Sequence, residues 1–480
     1  MPSPALLRVV AALVLGWGAA ARAQSLALSE DFEGTNPFEQ LRPLMPWGAG
    51  TLALHPEAAH SGRAGLRLVD AFGMATAGHD GAVVRDVSPT VAGTAYLRTW
   101  LRLTAREAPG PLTLASFANA SGQLLFDVNL RAESLELQVG GNVVVAGEPD
   151  YSKSTTTYVW DVGSWHLLEL ELAGVTTPGG ARRLWVDGAL VLEATGLDLG
   201  RGMPDWRLAR VAVGEAYNSN RSFRGTVDFD AVRTSDAPHP STWTWAGLPP
   251  QATSGACHAF SLSVAHSGSL TRSLAAPAAL AAQLTASSSV DFFSDALCAS
   301  PADALVLPAG ALEVAGSLRA RTSGPVELVA RTQDLLPGRA ALEVTGPLAR
   351  VAVSAPEVDP GLPLVLDGAA SAPAPGQSLV RFAWRQVEGP EGLELGTSAQ
   401  VTVTPREPGR YGFELVVSDS AGGTSAPTRA EARVRGEVPS REAPLRGCAS
   451  AGGGAGTPAL LALLGSLAAQ RAYLFIRRRR

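Results

Sequence analysis

The chain has 480 residues, a formal net charge of -5, 17% charged residues, 51 glycines, 34 prolines and 3 cysteines. That charge balance argues against nucleic acid as a partner, which calls for a strongly basic face. A chain this long supplies about three domains, and its glycine and proline content with few helical stretches favours β architecture.

At the N-terminus, Arg8 provides a positive start, Val9 to Ala20 an almost unbroken apolar run, and Ala21-Arg22-Ala23 small residues where a signal peptidase reads. The pattern predicts a secretory signal peptide over residues 1–23, cleaved before Gln24, because the apolar run is too short to span a bilayer. A buried N-terminal helix is the alternative.

Residues 24–238 read as many short strands separated by Gly, Pro, Asn and Asp. In "AYLRTWLRLTA" Leu97, Thr99, Leu101 and Leu103 share one face. Leu124, Phe126, Val128 and Leu130 do so in "LLFDVNLR", and Leu135, Leu137 and Val139 in "SLELQV". Such period-2 strands bury one face and wet the other, as in a two-sheet sandwich. "LWVDGALV" predicts a hairpin with a type I′ turn at Asp187-Gly188. The phrases "SEDFEG", "HSGRAGLRL", "WHLLELEL", "RRLWVDGALV" and "VAVGEAYNSNRSFRGTVDFDAV" resemble a concanavalin A-like jelly roll, nearest to the laminin-G-like carbohydrate-binding versions.

The Glu-x-Asp-x-x-Glu strand motif of glucanase jelly rolls is missing from this scaffold, as are Gly-x-Ser-x-Gly and His-Glu-x-x-His. No catalytic residue is assigned. Opposite the apolar face, Tyr96, Arg98 and Trp100, then Asp127, Asn129 and Gln138, offer an aromatic plate and planar polar groups. A sugar site needs both, so these six residues are the expected glycan-binding set. A solvated sandwich exterior is the alternative. If the first and last strands are neighbours, Asp31 and Glu33 approach Asp228 and Asp230, a candidate set of hard oxygen ligands for a structural Ca²⁺. Acidic residues capping strand ends would read the same way.

Residues 240–348 contain "SGACHAFSLSV" and "VDFFSDALCASPADALVLPAGALEV", which resemble an immunoglobulin-like module of bacterial surface proteins. In such modules a cysteine before the first strand pairs with one in the "FFSDxxC" turn, which implies a Cys257–Cys298 disulfide. Export favours oxidation, and Cys448 stands apart in the tail. Residues 349–435, with "LPLVLDGAASAPAPGQSLVRFAWRQVEGPEGL" and "PGRYGFELVVSDSAGGTSAP", resemble a PKD-type (polycystic-kidney-disease-type) domain. The resemblance implies a core tryptophan at Trp384, a strand through Tyr411, Phe413, Leu415 and Val417, and a turn at Asp419.

Residues 436–457 form a linker with a glycine hinge at Gly452 to Gly456, and residues 458–476 an apolar segment interrupted by Gln470 and Arg471. That length spans a bilayer, and the arginines at 477–480 belong in the cytoplasm. Gly447-Cys448, a small-residue spacer, an apolar stretch and terminal arginines resemble the myxobacterial C-terminal sorting signal, MYXO-CTERM. The resemblance implies a sorting or processing protease acting at Cys448 and surface anchoring. The expected molecule is therefore all-β: a jelly-roll sandwich and two immunoglobulin-like sandwiches, exported and anchored in a membrane by a C-terminal transmembrane helix. Its expected role is non-catalytic binding of a polysaccharide or surface glycan. The rival is a polysaccharide lyase or glycoside hydrolase with an unrecognised active site.

Overall fold

A computed structural model describes residues 25–34, 36, 38–44, 50–70, 81–108, 111–131, 133–215 and 224–436. The expected signal peptide, the linker beyond Gly436 with Cys448, the transmembrane segment and the basic tail lie outside the described residues. No helix among the described residues is long and apolar enough to cross a membrane. Those residues are all-β, with Pro56–Ala58 and Pro204–Trp206 as short 3-10 turns.

The first domain begins with β1 (Leu28–Glu30), β2 (Arg42–Leu44), β3 (Thr51–His55), β4 (Gly65–Asp70), β5 (Gly81–Val91), β6 (Gly93–Ala108), β7 (Leu112–Asn119) and β8 (Leu124–Leu130). It continues with β9 (Glu136–Val145), β10 (Glu148–Val159), β11 (His166–Val175), β12 (Gly180–Val186), β13 (Ala189–Leu197), β14 (Leu208–Glu215) and β15 (Arg224–Ser235). One sheet runs β13-β12-β11-β6-β15-β4-β3, with β1 on β15, and the other β10-β9-β8-β7-β14-β5-β2. Strand pairing therefore brings the first and last strands together, Leu28 opposite Thr234 and Glu30 opposite Val232. The two sheets face each other through the predicted apolar positions, including Leu97, Leu101 and Leu103 of β6, Phe126, Val128 and Leu130 of β8, and Leu137 of β9. The β12–β13 turn has Asp187 and Gly188 both at positive φ, 51° and 82°, as a type I′ hairpin requires.

Two arginines lie inside the sandwich. Arg85 on β5 donates to the carbonyls of Ser25 (2.7 Å), Ala27 (2.8 Å) and Gln40 (3.2 Å). Arg182 on β12 crosses to the other sheet and donates to Leu125 O at 2.8 Å and Asn142 O at 2.6 Å. Burial pushes the Arg182 guanidinium down to about 10. Carbonyl partners make such burial tolerable, because an unmatched interior charge is strongly destabilising. Gly141 makes room for this contact: a Cβ there would sit 2.8 Å from the Arg182 guanidinium carbon.

The second domain is a ten-stranded β-structure from Thr242–Ala246 to Leu335–Thr345, around Trp243, Phe260, Leu262, Leu318 and Leu328. Cys257 and Cys298 are disulfide-bonded across a sequence separation of 41. The Asp295 carboxylate receives the amides of Leu297 (2.8 Å) and Ala299 (3.1 Å), shaping the turn that presents Cys298. The third domain pairs a three-stranded with a four-stranded sheet. Tyr411, Phe413, Leu415 and Val417 are fully buried as the alternation predicts, and Asp419 accepts the amides of Ala421 and Gly423 in the expected turn. Trp384 is only partly buried, its indole N–H donating to Ser398 O at 2.9 Å.

Replacing Cys257 and Cys298 together with serine removes a 41-residue cross-link. The expected loss is about 4 kcal/mol by chain entropy. Calorimetry should show one lowered transition, and wild type in reductant should reproduce it.

Candidate functional site

The expected glycan-binding set is divided by the structure. Tyr96, Arg98 and Trp100 project from β6 on one sheet, whereas Asp127 and Asn129 on β8 and Gln138 on β9 belong to the other. The first three are a correction: their face is not open to a ligand, because the second domain packs on it. Trp100 is only 6% exposed and shares a cluster with Leu167, Ala231, Trp165 and Leu336. Its indole N–H donates to Asp334 O at 3.2 Å, and His60 stacks on its ring at 3.8 Å. Tyr96 meets the edge of His266 at 5.7 Å. Beneath them, Glu169 accepts the hydroxyls of Ser241 and Ser267 from the second domain. An aromatic and charged strip serves an interdomain joint as well as a sugar plate.

The candidate calcium set is also corrected. No group of three or more acidic, histidine or cysteine side chains placed for a metal occurs among the described residues. Strand pairing is as expected, but the four carboxylates turn to other donors. Asp31 pairs with Arg233. Glu33 receives the amides of Arg63 (2.6 Å) and Ala64 (3.1 Å). Asp228 takes Arg67 Nε and Arg102 Nη2, each at 2.7 Å, and Thr104 Oγ1 at 2.8 Å. Burial alone would raise Asp228, but the two guanidinium groups outweigh it and hold the carboxyl below its usual value. Asp230 accepts the amides of His60 (2.8 Å), Ser61 (3.1 Å) and Ala231 (2.7 Å), yet burial pushes it up to about 6.

The remaining three residues do share a face. In the β8–β9 register Asn129 lies opposite Gln138 and Asp127 opposite Gly140. In the β9–β10 register Gln138 lies opposite Thr155, Gly140 opposite Lys153 and Asn142 opposite Tyr151. Cross-strand partners point to the same side of a sheet, so Tyr151, Lys153 and Thr155 join Asp127, Asn129 and Gln138 on the outer face. The Tyr151 hydroxyl donates to Asp127 Oδ2 at 2.8 Å, and a Cβ at Gly140 would lie 2.1 Å from that hydroxyl. Asn129 donates to Asp127 and accepts the Thr113 hydroxyl at 2.6 Å, while the Thr113 amide donates to Glu215 at 2.7 Å. Asp127 and Asn129 are thereby held at 2% and 7% exposure. Beside them a cleft of about 580 Å³ is lined by Asn129, Arg131, Gln138 and Lys153 among others. Tyr151, 45% exposed, borders the same face. Sequence alternation did not find Tyr151 or Lys153, because "EPDYSKSTTTYV" is polar on both faces and shows no apolar period.

A separate cluster centres on His166. Its Nδ1 lies 2.6 Å from Asp187 Oδ2 and 3.2 Å from the Tyr158 hydroxyl, and its Nε2 contacts Asp161. Burial alone would lower the imidazole, but the two carboxylates outweigh it and hold it above the usual value. Burial and the same carboxylates push Tyr158 up to about 12.

For a raised imidazole the sign is fixed: its stabilisation is complete below the unfolded value of 6.5 and disappears as pH rises through the folded value. Urea midpoints should therefore fall across that window, and Asp187→Asn should flatten the slope. Trp100→Ala is expected to cost about 3–5 kcal/mol by emptying the joint, read as a lower melting temperature. It should leave any ligand of the β8–β9–β10 face bound as before.

Residues 355–428 match a family described as a PKD domain. A search of curated proteins returns no match. Among solved structures, the endo-beta-1,4-glucuronan lyase from the fungus Trichoderma reesei is 16% identical, with a TM-score of 0.35, covering 44% of this chain and 95% of its own. The cellulose induced protein Cip1 is 18% identical, with a TM-score of 0.32, covering 44% and 97%. The carbohydrate binding module CBM66 from Bacillus subtilis is 14% identical, with a TM-score of 0.25, covering 40% and 96%.

Proposed function

We propose that the protein is a non-catalytic, cell-surface-anchored carbohydrate-binding protein whose first domain seats a polysaccharide on the outer face of β8, β9 and β10. The observation that carries this reading is the cleft where Asn129, Gln138, Arg131 and Lys153 meet, with the exposed ring of Tyr151 on the same face. Planar amides suit paired sugar hydroxyls, cations suit acidic or hydroxyl oxygens, and a phenol ring covers the apolar face of a pyranose. The Tyr151–Asp127–Asn129–Thr113 network holds these groups in place before a ligand arrives, which lowers the ordering cost of binding.

Export and anchoring are part of the same proposal. The Cys257–Cys298 bond suits an oxidising exterior. The apolar segment at 458–476 is the proposed tether, with Cys448 as the proposed processing point. The second and third domains then serve as the stalk that carries the binding head.

The test is affinity electrophoresis of the full-length protein through gels containing different polysaccharides. At least one should retard it, and Lys153→Ala or Gln138→Ala should each weaken retardation roughly tenfold, the scale of one lost polar contact. Release of unsaturated or reducing ends would favour the lyase or hydrolase reading instead. No retardation by any polysaccharide would overturn the proposal.

A further inference from the structure

A second cavity, of about 660 Å³, lies between the first and second domains. It is lined on one side by Asp31, Arg98 and Arg233, and on the other by Leu280, Asp334 and Leu335. Its distinctive member is Arg98, only 4% exposed. The Nε and Nη2 atoms of Arg98 are buried with no hydrogen-bond partner among the described residues.

Neighbouring acids do not supply one. Glu169 lies directly opposite Arg98 in the β6–β11 register, but it accepts the hydroxyls of Ser241 and Ser267 and sits 3.5 Å from His266 Nε2. Asp31 is ion-paired with Arg233, whose guanidinium also donates to Glu30 O at 3.1 Å. Asp334 accepts the Ser61 hydroxyl at 2.5 Å, and its Oδ1 lies 3.9 Å from His60 Nδ1. Burial, followed by the nearby charges of Arg98 and Arg233, pushes His239 in the cavity wall down to about 3, so that imidazole stays neutral. The Arg98 guanidinium, pushed by burial to about 10, is still charged at neutral pH.

The two unmatched atoms are also the pair with the right geometry. Nε and Nη2 form one edge of the guanidinium plane, and their parallel N–H bonds match the two oxygens of a carboxylate. The cavity adds apolar walls at Leu28, Leu280 and Leu335 and hydroxyls at Ser29, Ser235 and Thr332. Its volume falls within the range of small-ligand sites. We propose that this junction binds a small sugar acid of hexuronate size, its carboxylate forked on Arg98 and its ring between the two domains. The proposal is independent of the face on β8–β10, because no residue is shared.

Isothermal titration of the full-length protein with glucuronate, glucose and acetate tests it. Glucuronate should bind and raise the melting temperature, glucose should not bind, and acetate should bind at least tenfold more weakly. Arg98→Met should weaken glucuronate at least tenfold, and Lys153→Ala should leave it unchanged. Ala278→Trp, at an exposed position of the cavity wall, fills the space without touching the guanidinium and should also abolish binding. Absence of glucuronate binding, equal binding of glucose, or binding that survives either cavity variant would overturn the assignment.

Discussion

Strand β6 is buried on both sides, and the arrangement of the molecule follows from that. Its inner face, Leu97, Thr99, Leu101 and Leu103, closes the sandwich core. Its outer face, Arg98 and Trp100, lies under the second domain. A central strand covered on both faces brings charged side chains into the interior, and each needs a partner to be tolerated. Asp228 finds Arg67 and Arg102, Asp230 finds backbone amides, and Glu169 finds two serine hydroxyls. Arg98 is the exception, and it lies where a cavity opens.

The same constraint separates the two faces of the jelly roll by role. The sheet containing β6 is committed to the joint, and the sheet containing β8 is left with a polar outer surface that no other domain contacts among the described residues. The buried network from Tyr151 to Glu215 stiffens that surface, whereas Lys153 and Gln138 at its edge stay in reach of a ligand. Rigid support beneath adaptable contacts is the usual design of a recognition site.

The joint between the second and third domains uses backbone more than side chains. The Thr424 amide donates to Arg321 O at 2.8 Å, and the Ser323 amide to Thr424 O at 3.1 Å. Gly423 lies so close to Ser254 that a Cβ would sit 2.0 Å from its hydroxyl oxygen. Strand-like pairing of this kind restricts bending, which suits a spacer. The glycines in "SDSAGGTS" thus serve the joint as well as the turn predicted there.

Much of the fold was legible because period-2 alternation is local. Leu97 to Leu103, Phe126 to Leu130 and Tyr411 to Val417 each announce a strand and its buried side without knowledge of any partner. The Asp187-Gly188 turn is equally local, because positive φ at both positions selects those residue types. Alternation cannot say which sheet a strand joins or what covers its outer face. Tyr96, Arg98 and Trp100 therefore read the same as Asp127, Asn129 and Gln138, and only strand order and the packing of a second domain made the first set a joint and the second a surface. Where both faces of a strand are polar, as in β10, the sequence carries no signal, and its Tyr151 and Lys153 became visible through register alone. The isolation of Arg98 was decided furthest from the sequence: its cross-strand acid is claimed by hydroxyls of another domain, a competition that exists only once the chain is folded.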